Sequence, residues 1–267
     1  MKKFLAIMMA LTMAFGVAAC SAPEEEKTDA PAVETAKTFT VGFDAAFPPY
    51  GYLDEATGEY VGFDLSLAQE VCTRKGWELK KQPIDWDAKD MELSSGTIDC
   101  IWNGFTINGR EDKYTWSDPY VDNTQVYVVA EDAGIATVAD LAGKVVLVQT
   151  DSSALHALEG MPEVTDTFGE LTQVAEYNTA FMSLEAGAAD AVAMDIAVAK
   201  YQIESRGGGY VILDEYISSE QYGVGFLLGN DALKDEVEAV LYEMVEDGTF
   251  AAIAEEWGVS DLVCLGK

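Results

Sequence analysis

Residues 39–82, FTVGFDAAFPPYGYLDEATGEYVGFDLSLAQEVCTRKGWELKKQ, decide the fold of this chain. The apolar run at 39–43 predicts a strand, and apolar residues at helical spacing predict an amphipathic helix at 64–75. A second strand is predicted at 77–82. Parallel strands need a long crossover, which is usually a helix. This strand–helix–strand order therefore predicts an α/β fold.

The rest of the chain repeats the alternation of strands and helices. A short helix at 90–95, a strand at 98–103 and an apolar strand at 122–130 complete a first block. The elements predicted for a second block are a helical turn at 138–141, strands at 144–149, 191–194 and around 222–228, and helices at 153–159, 179–186, 196–204, 231–246 and 249–257. About 230 residues suffice for two domains, and sheets of this kind bind ligands at the carboxyl ends of their strands. We therefore expect the site between the two blocks.

The first 20 residues are typical of a secretory signal. They contain no acidic residue, begin with Lys2 and Lys3, and continue in an apolar run at 4–17 that is shorter than the roughly 20 residues of a membrane span. The run ends in VAAC at 17–20, which resembles the lipobox of bacterial lipoproteins. This resemblance implies a lipid on Cys20, such as palmitate, and a mature protein anchored outside the cytoplasmic membrane.

Residues 21–38, SAPEEEKTDAPAVETAKT, contain no aromatic residue and are too polar to bury surface. Such composition is typical of disordered chain, so we expect a flexible tether between the anchor and the folded part.

Composition excludes several classes of function. The chain has 47 acidic against 16 basic residues, a formal net charge of −31, which suits an exported protein and repels the phosphates of nucleic acid. A single histidine, His156, leaves no material for a histidine-based metal site or catalytic triad, so no metal and no cofactor are expected. Cys72, Cys100 and Cys264 form an odd set without metal-site spacing, which leaves open one disulfide or three buried thiols.

Three segments resemble the polar amino-acid-binding proteins of ABC importers. They are VGFDAAFPPYGY at 41–52 followed by GEYVGFDLSLAQEV at 58–71, IDCIWNGFTINGREDKYTWSDPY at 98–120, and GKVVLVQTDSS at 143–153. The similarity runs from about residue 39 to the C-terminus.

The resemblance implies a two-lobed type II periplasmic-binding fold, in which each lobe is a mainly parallel sheet flanked by helices and the ligand cleft lies between the lobes. Lobe one is expected at 39–122 and 226–267, and lobe two at 123–225. The implied function is that of an extracytoplasmic solute-binding protein, a monomer, which delivers a free polar amino acid to the permease and ATPase of an importer.

The resemblance also implies groups for the ligand's carboxylate. Arg110 matches the family's carboxylate-binding arginine, whose planar guanidinium can bind both oxygens. The backbone N–H groups of Thr106 and Ser153 complete this set, the latter at a helix start, where unpaired donors favour an anion. The alternative for Arg110 is a surface ion pair with a neighbouring acid, and the alternative for Ser152 is a helix cap only.

For the ligand's ammonium the resemblance points to Asp195, the Thr106 hydroxyl and the Gly104 carbonyl. A carboxylate that meets an ammonium from the opposite lobe explains how a ligand holds both lobes together. The alternative for Asp195 is an N-cap of the helix that follows. Asn103, beside Gly104, is also predicted to be a substrate-binding residue, without a specific partner on the ligand.

Phe47 and Trp86 match the aromatic walls around the ligand's side chain, although aromatic residues in general are most often core. Asp44 and Gln149 match positions near the far end of that side chain. A carboxylate there favours a basic, arginine-like amino acid, but it also accepts a hydrogen bond from glutamine, and cystine stays open as well. Glutamate is disfavoured because Asp44 would face it.

Two departures from the family pattern affect the site. The loop TINGR at 106–110 is one residue shorter than usual, and Gly104 stands where serine is common. The rival class is an enzyme on the same scaffold, such as a dehydratase or a cell-wall lytic transglycosylase. No glycine-flanked nucleophile pattern is present, so we expect a binding protein and no enzyme.

Overall fold

The computed structural model describes residues 36–267, and the predictions for the signal segment, for Cys20 and for nearly all of the tether lie outside this range. The strands are β1 (Thr38–Phe43), β2 (Ala46–Phe47), β3 (Gly51–Asp54), β4 (Glu59–Val61), β5 (Glu78–Pro83), β6 (Cys100–Ile101), β7 (Tyr114–Trp116), β8 (Val121–Ala130), β9 (Val145–Gln149), β10 (Glu170–Val174), β11 (Ala191–Asp195), β12 (Tyr210–Tyr222) and β13 (Gly225–Leu227). The helices are α1 (Phe63–Lys75), α2 (Lys89–Ser94), α3 (Ser153–Glu159), α4 (Pro162–Thr165), α5 (Tyr177–Glu185), α6 (Ile196–Ser205), α7 (Asp231–Asp247) and α8 (Thr249–Glu256). Two 3-10 turns, Trp86–Ala88 and Val138–Leu141, lie before α2 and β9.

Two five-stranded sheets form the two lobes of the fold. The first has the order β5-β1-β6-β13-β7 and the second the order β10-β9-β11-β8-β12. In each sheet the first three strands are mutually parallel, and the last two pair antiparallel. The two-lobed α/β architecture with parallel strands is therefore confirmed.

The chain passes between the sheets at two neighbouring places. Strand β8 begins next to the first lobe, where Val121 bridges Val263. Strand β12 ends there, where Tyr222 bridges Thr106, and β13 then joins the first sheet. The division of the chain at 122/123 and 225/226 stays a prediction.

Helix α1 illustrates how the sequence pattern becomes packing. The predicted apolar face of Leu65, Ala68, Val71 and Cys72 is buried, as expected for a helix that covers a sheet. The helix ends at Gly76, whose φ of 66° is the left-handed conformation that glycine adopts without steric cost. No helix within 36–267 is long and apolar enough to cross a membrane.

Several predicted elements differ from the observed ones. The strand predicted at 98–103 shortens to β6, because the chain turns at Gly104, where φ is 58°. The strand predicted around 222–228 is replaced by β12 and β13, and β2, β3, β4, β7 and β10 were missed. Register irregularities between Ile212 and Ser218 break the alternation of β12, and therefore hide it in the sequence. Cys72, Cys100 and Cys264 are free thiols.

Candidate ligand-binding site

A single cavity between the two lobes brings nine of the eleven predicted site residues together. Its lining consists of Phe47, Trp86, Gly104, Thr106, Arg110, Gln149, Ser152, Ser153 and Asp195. The cavity encloses about 10 Å³, which is on the order of the space for one water. The lobes are therefore closed on each other, and a larger molecule enters only when they separate.

Arg110 lies on the loop that precedes β7 and presents its guanidinium to this cavity. Its Nη1 donates to the Thr106 carbonyl at 3.2 Å, and its Nη2 donates to the Asp151 carbonyl of the other lobe at 3.3 Å. The guanidinium carbon lies 5.2 Å from the centroid of the Phe105 ring. No ion pair joins Arg110 to Glu111 or Asp112 in the described part of the chain. The shortened loop therefore still directs this side chain into the cleft.

Two buried carboxylates, Asp195 and Glu220, lie side by side on the second sheet. Asp195 is 4% exposed and Glu220 is 7% exposed. The Gln125 amide donates to both, at 2.5 Å and 2.8 Å, and so does the Asn123 amide, at 2.8 Å each. Tyr222 donates a further hydrogen bond to Asp195. Burial and the neighbouring Glu220 charge raise the pKa of Asp195.

Neither carboxylate has a basic partner among residues 36–267. Buried carboxylates without a cation are costly, because charge is stabilised poorly away from water. The pair is therefore suited to receive a positive charge from outside the protein. Although Asp195 occupies the N-cap position of α6, its side chain makes no capping hydrogen bond, so the interpretation as a plain cap does not account for it.

Thr106 and Ser153 join the two lobes at the same point. The Thr106 hydroxyl lies 2.7 Å from Glu220 Oε1 and 3.2 Å from the Ser153 hydroxyl. Ser153 is the first residue of α3, where backbone N–H groups lack an intrahelical acceptor. Ser152 accepts a hydrogen bond from the Leu155 N–H, so it is the helix cap and a lining residue at once.

The two predicted aromatic walls have different surroundings. Phe47 is buried, stacks on Tyr50 with ring centroids 5.9 Å apart, and meets Tyr177 in a tilted arrangement at 6.1 Å. Trp86 is half-buried and meets the Phe105 ring edge-on at 5.5 Å. Phe47 is therefore also a core residue, whereas Trp86 keeps an accessible face beside the cleft.

Asp44 and Asn103, the remaining two predicted residues, lie next to the cavity rather than in its lining. The Asn103 side chain accepts from the Asp44 N–H at 3.0 Å, so it positions Asp44. The Asp44 carboxylate accepts from the Ala46 N–H and, across the cleft, from Gln149 Nε2 at 2.7 Å. Burial raises the pKa of Asp44 to about 6.

An acidic pocket of about 270 Å³ continues from Asp44 toward solvent. Its lining includes Trp86 and the carboxylates of Asp44, Asp85, Asp87 and Glu176. This pocket adjoins the cleft on the side of Asp44 and Trp86. A side chain that extends there from the cleft meets negative charge.

The surroundings of position 104 explain why glycine stands there in place of the serine that is common in the family pattern. At its φ of 58° an added Cβ would lie 2.8 Å from Phe47 Cε1, so a serine requires the aromatic wall to move. The Gly104 N–H donates to Asp64 at 2.6 Å. Full burial raises the pKa of Asp64 to about 7, and this carboxylate ties α1 to the floor of the site.

Glu220 is the main residue that sequence reasoning missed. It lies on β12, which was not predicted, so its inward direction was hidden. Its neighbours Asn123 and Gln125 sit at alternate positions of β8, and this alternation of amides in an apolar strand was the available signal. Within 36–267 no group of three or more His, Cys, Asp or Glu side chains is arranged to hold a metal ion.

The chain matches the model of the bacterial extracellular solute-binding proteins, family 3, over residues 39–260, and it belongs to this family. It is similar to the L-cystine-binding protein TcyJ of Escherichia coli strain K12, at 29% identity, with 84% of each chain covered.

Two solved structures extend the comparison. One is an ABC uptake transporter substrate-binding protein from Streptococcus pneumoniae with bound histidine, at 33% identity and a TM-score of 0.79, with 82% of this chain and 92% of that one covered. The other is the arginine-bound form of truncated ArgBP from T. maritima, at 34% identity and a TM-score of 0.71, with 78% and 96% covered.

Proposed function

We propose that this protein binds one free amino acid between its lobes and delivers it to an ABC importer. The observation that carries this proposal is the pair of buried carboxylates, Asp195 and Glu220, which have no basic partner within residues 36–267 and lie in the same cleft as the Arg110 guanidinium. A free amino acid has a carboxylate and an ammonium on one carbon. The arginine complements the first group and the acid pair complements the second, so one zwitterion satisfies both lobes.

The remaining site residues are assigned around this ligand. The N–H groups of Thr106 and Ser153 join Arg110 at the carboxylate, and the Gly104 carbonyl and Thr106 hydroxyl join Asp195 and Glu220 at the ammonium. Phe47 and Trp86 enclose the side chain.

We favour a basic, arginine-like ligand. Support comes from the acidic pocket beyond Asp44, whose four carboxylates suit a guanidinium or ammonium at the end of a long side chain. The arginine-bound relative agrees with this choice. The alternatives are glutamine, whose side-chain amide can also donate a hydrogen bond to Asp44, and cystine, the ligand of the similar E. coli protein TcyJ.

Calorimetric titration with a panel of free amino acids tests both parts of the proposal. The informative ligands are arginine, lysine, glutamine, cystine, glutamate and citrulline, since citrulline has the shape of arginine without its charge. We expect arginine to bind at micromolar concentration or tighter, which corresponds to about −8 kcal/mol. An affinity for citrulline equal to that for arginine would refute the charge argument. Tight binding of glutamate alone would refute the assignment of Asp44 to the far end of the ligand's side chain.

We propose further that the protein is exported and anchored through a lipid, such as palmitate, on Cys20, at the outer face of the cell membrane. The support is the sequence VAAC at 17–20 after the apolar run. A Cys20→Ser variant should appear in the soluble fraction of cells, whereas an unchanged membrane fraction would contradict lipidation.

The proposed partners are the permease and ATPase of the importer, with the binding protein acting as a monomer and not as an enzyme. Incubation with each amino acid of the panel followed by mass analysis checks the last point. We expect the amino acids to be recovered unchanged, and turnover of any of them would contradict a pure binding function.

A further inference from the structure

We propose that Lys89 and Asp151 form an interlobe latch, an ion pair made only when the lobes are closed, and that this latch sets how long the closed protein retains its ligand. The inference rests on the proposed function in one respect, namely that the cleft opens and closes around a ligand. The latch residues do not belong to the predicted binding set and do not line the closed cavity.

Among residues 36–267, Lys89 and Asp151 form the one ion pair that joins the two lobes. Lys89 is the first residue of α2, which packs on the first sheet through Leu93, and Asp151 lies in the turn between β9 and α3 of the second sheet. Lys89 Nζ contacts the Asp151 carboxylate directly. Every other ion pair within 36–267 joins groups of the same lobe.

The surroundings of Lys89 favour a contact with the opposite lobe. The residue is 1% exposed, and among residues 36–267 its own lobe supplies to the amine only the Trp86 carbonyl, at 3.2 Å, and the Trp86 ring, whose centroid is 5.0 Å from Nζ. The neighbouring carboxylate of Asp90 contacts the Tyr114 hydroxyl instead. Separation of the lobes therefore removes the one carboxylate within the described range that the buried amine contacts.

The backbone of Asp151 is adapted to the same contact. Asp151 is the one residue other than glycine with positive φ among residues 36–267, at 55°, a conformation that such residues seldom adopt. This conformation places its carboxylate on Lys89 and directs its carbonyl to Arg110 Nη2 at 3.3 Å. The Asp151 side chain is 55% exposed and the Lys89 side chain 2% exposed, so the pair withdraws the amine from solvent far more than the carboxylate.

A cross-lobe pair of this kind should act mainly on dissociation, because opening breaks it. The test uses three variants, Lys89→Met, Asp151→Asn and the double variant. Methionine keeps the length of the lysine stem, and asparagine keeps the shape of aspartate and tolerates positive φ. The matched control is Lys144→Met, which removes an ion pair with Asp190 inside the second lobe at 3.2 Å.

Stopped-flow tryptophan fluorescence, with Trp86 beside the cleft as reporter, measures the dissociation rate constant of the amino acid that binds most tightly. Each single variant should raise this constant by about tenfold. The double variant should be no faster than the singles, since both remove the same contact, and the control should match the unchanged protein. Single variants within twofold of the unchanged protein, or a double variant equal to the product of the singles, would overturn the latch.

The proposed function can fail independently of the latch. If no amino acid of the panel binds, the latch is tested instead by small-angle X-ray scattering of the ligand-free proteins at low salt. The latch then predicts a larger radius of gyration for Lys89→Met and Asp151→Asn than for the unchanged protein and the control. Equal radii in all four proteins would overturn it.

Discussion

At the scale of single residues, charge placement distinguishes this site from an ordinary polar cleft. Among residues 36–267 the Arg110 side chain donates hydrogen bonds only to backbone carbonyls, and the carboxylates of Asp195 and Glu220 accept only from amides and hydroxyls. The Arg110 guanidinium and the two carboxylates therefore share one cleft without forming an ion pair. A zwitterion is the simplest ligand that neutralises both.

Replacing Arg110 with alanine should weaken amino-acid binding by about 3 kcal/mol or more, on the order of a hundredfold, because a buried ligand carboxylate would lose its charged donor. Lys113→Ala, an exposed cation on the same loop, should bind as the unchanged protein does. Calorimetry measures the affinity and circular dichroism verifies the fold. An affinity of Arg110→Ala equal to that of the control would remove Arg110 from the site.

The pKa of Asp44 predicts how affinity depends on pH. Because burial raises this pKa to about 6, the carboxyl is ionised above pH 6 and neutral below it. Affinity for arginine should therefore fall as the pH drops from 8 to 5, and the advantage of the unchanged protein over Asp44→Asn should shrink over the same range. Titrations at several pH values measure the ratio of the affinities of the unchanged protein and Asp44→Asn. The contribution of Asp195 is common to both proteins and cancels in this ratio. A ratio independent of pH would show that Asp44 does not face the ligand's charge.

At the scale of elements, the turn from β9 to α3 carries much of the site. The strand ends at Gln149, which reaches Asp44 across the cleft. The next residues bring the Asp151 carbonyl to Arg110 and the start of α3 to Thr106. This short turn therefore supplies several of the second lobe's contacts with the first, and its geometry depends on the helix start.

Ser152→Ala should lower the free energy of unfolding by about 1 kcal/mol, because the Leu155 N–H loses its capping acceptor. Ser94→Ala, at the exposed end of α2, removes only a hydroxyl that donates to the Met91 carbonyl. This variant should lower the free energy of unfolding by only a few tenths of that amount. Urea denaturation followed by circular dichroism compares the two variants. Equal stabilities would show that the cap contributes little and that Ser152 is retained for the ligand alone.

At the scale of the whole molecule, the net charge of −31 bears on the encounter with a ligand. Exposed acids on the rim of the acidic pocket, Asp85, Asp87 and Glu176, extend this potential to the entrance of the cleft. Such a field attracts a cation and is screened beyond about 10 Å at 0.1 M salt. The acidic surface therefore favours capture of basic amino acids at low ionic strength.

The association rate constant of arginine should fall several-fold as salt rises from about 0.02 M to about 0.5 M, because screening removes the attraction. Citrulline should show little change over this range, since it has no net charge to steer. Stopped-flow fluorescence measures both rate constants. A rate for arginine that is insensitive to salt would mean that the surface charge serves solubility alone.

The sequence by itself determined the fold class, most of the helices and nine residues that line the cleft. Apolar periodicity is local, so α1 and α7 were predicted almost to their ends, and the three family segments contain Phe47, Arg110 and Ser153. The resemblance also led to Asp195, whose direction into the cleft follows from its place at the end of β11.

Only the tertiary structure decided which groups meet across the cleft. Glu220 joins Asp195 because β12 pairs with β8 through an irregular register, and Lys89 meets Asp151 although 62 positions separate them in the chain. Asn103 likewise supports Asp44 instead of lining the cavity. Such pairings depend on how two sheets are placed against each other, and this placement results from packing over the whole chain rather than from any local pattern.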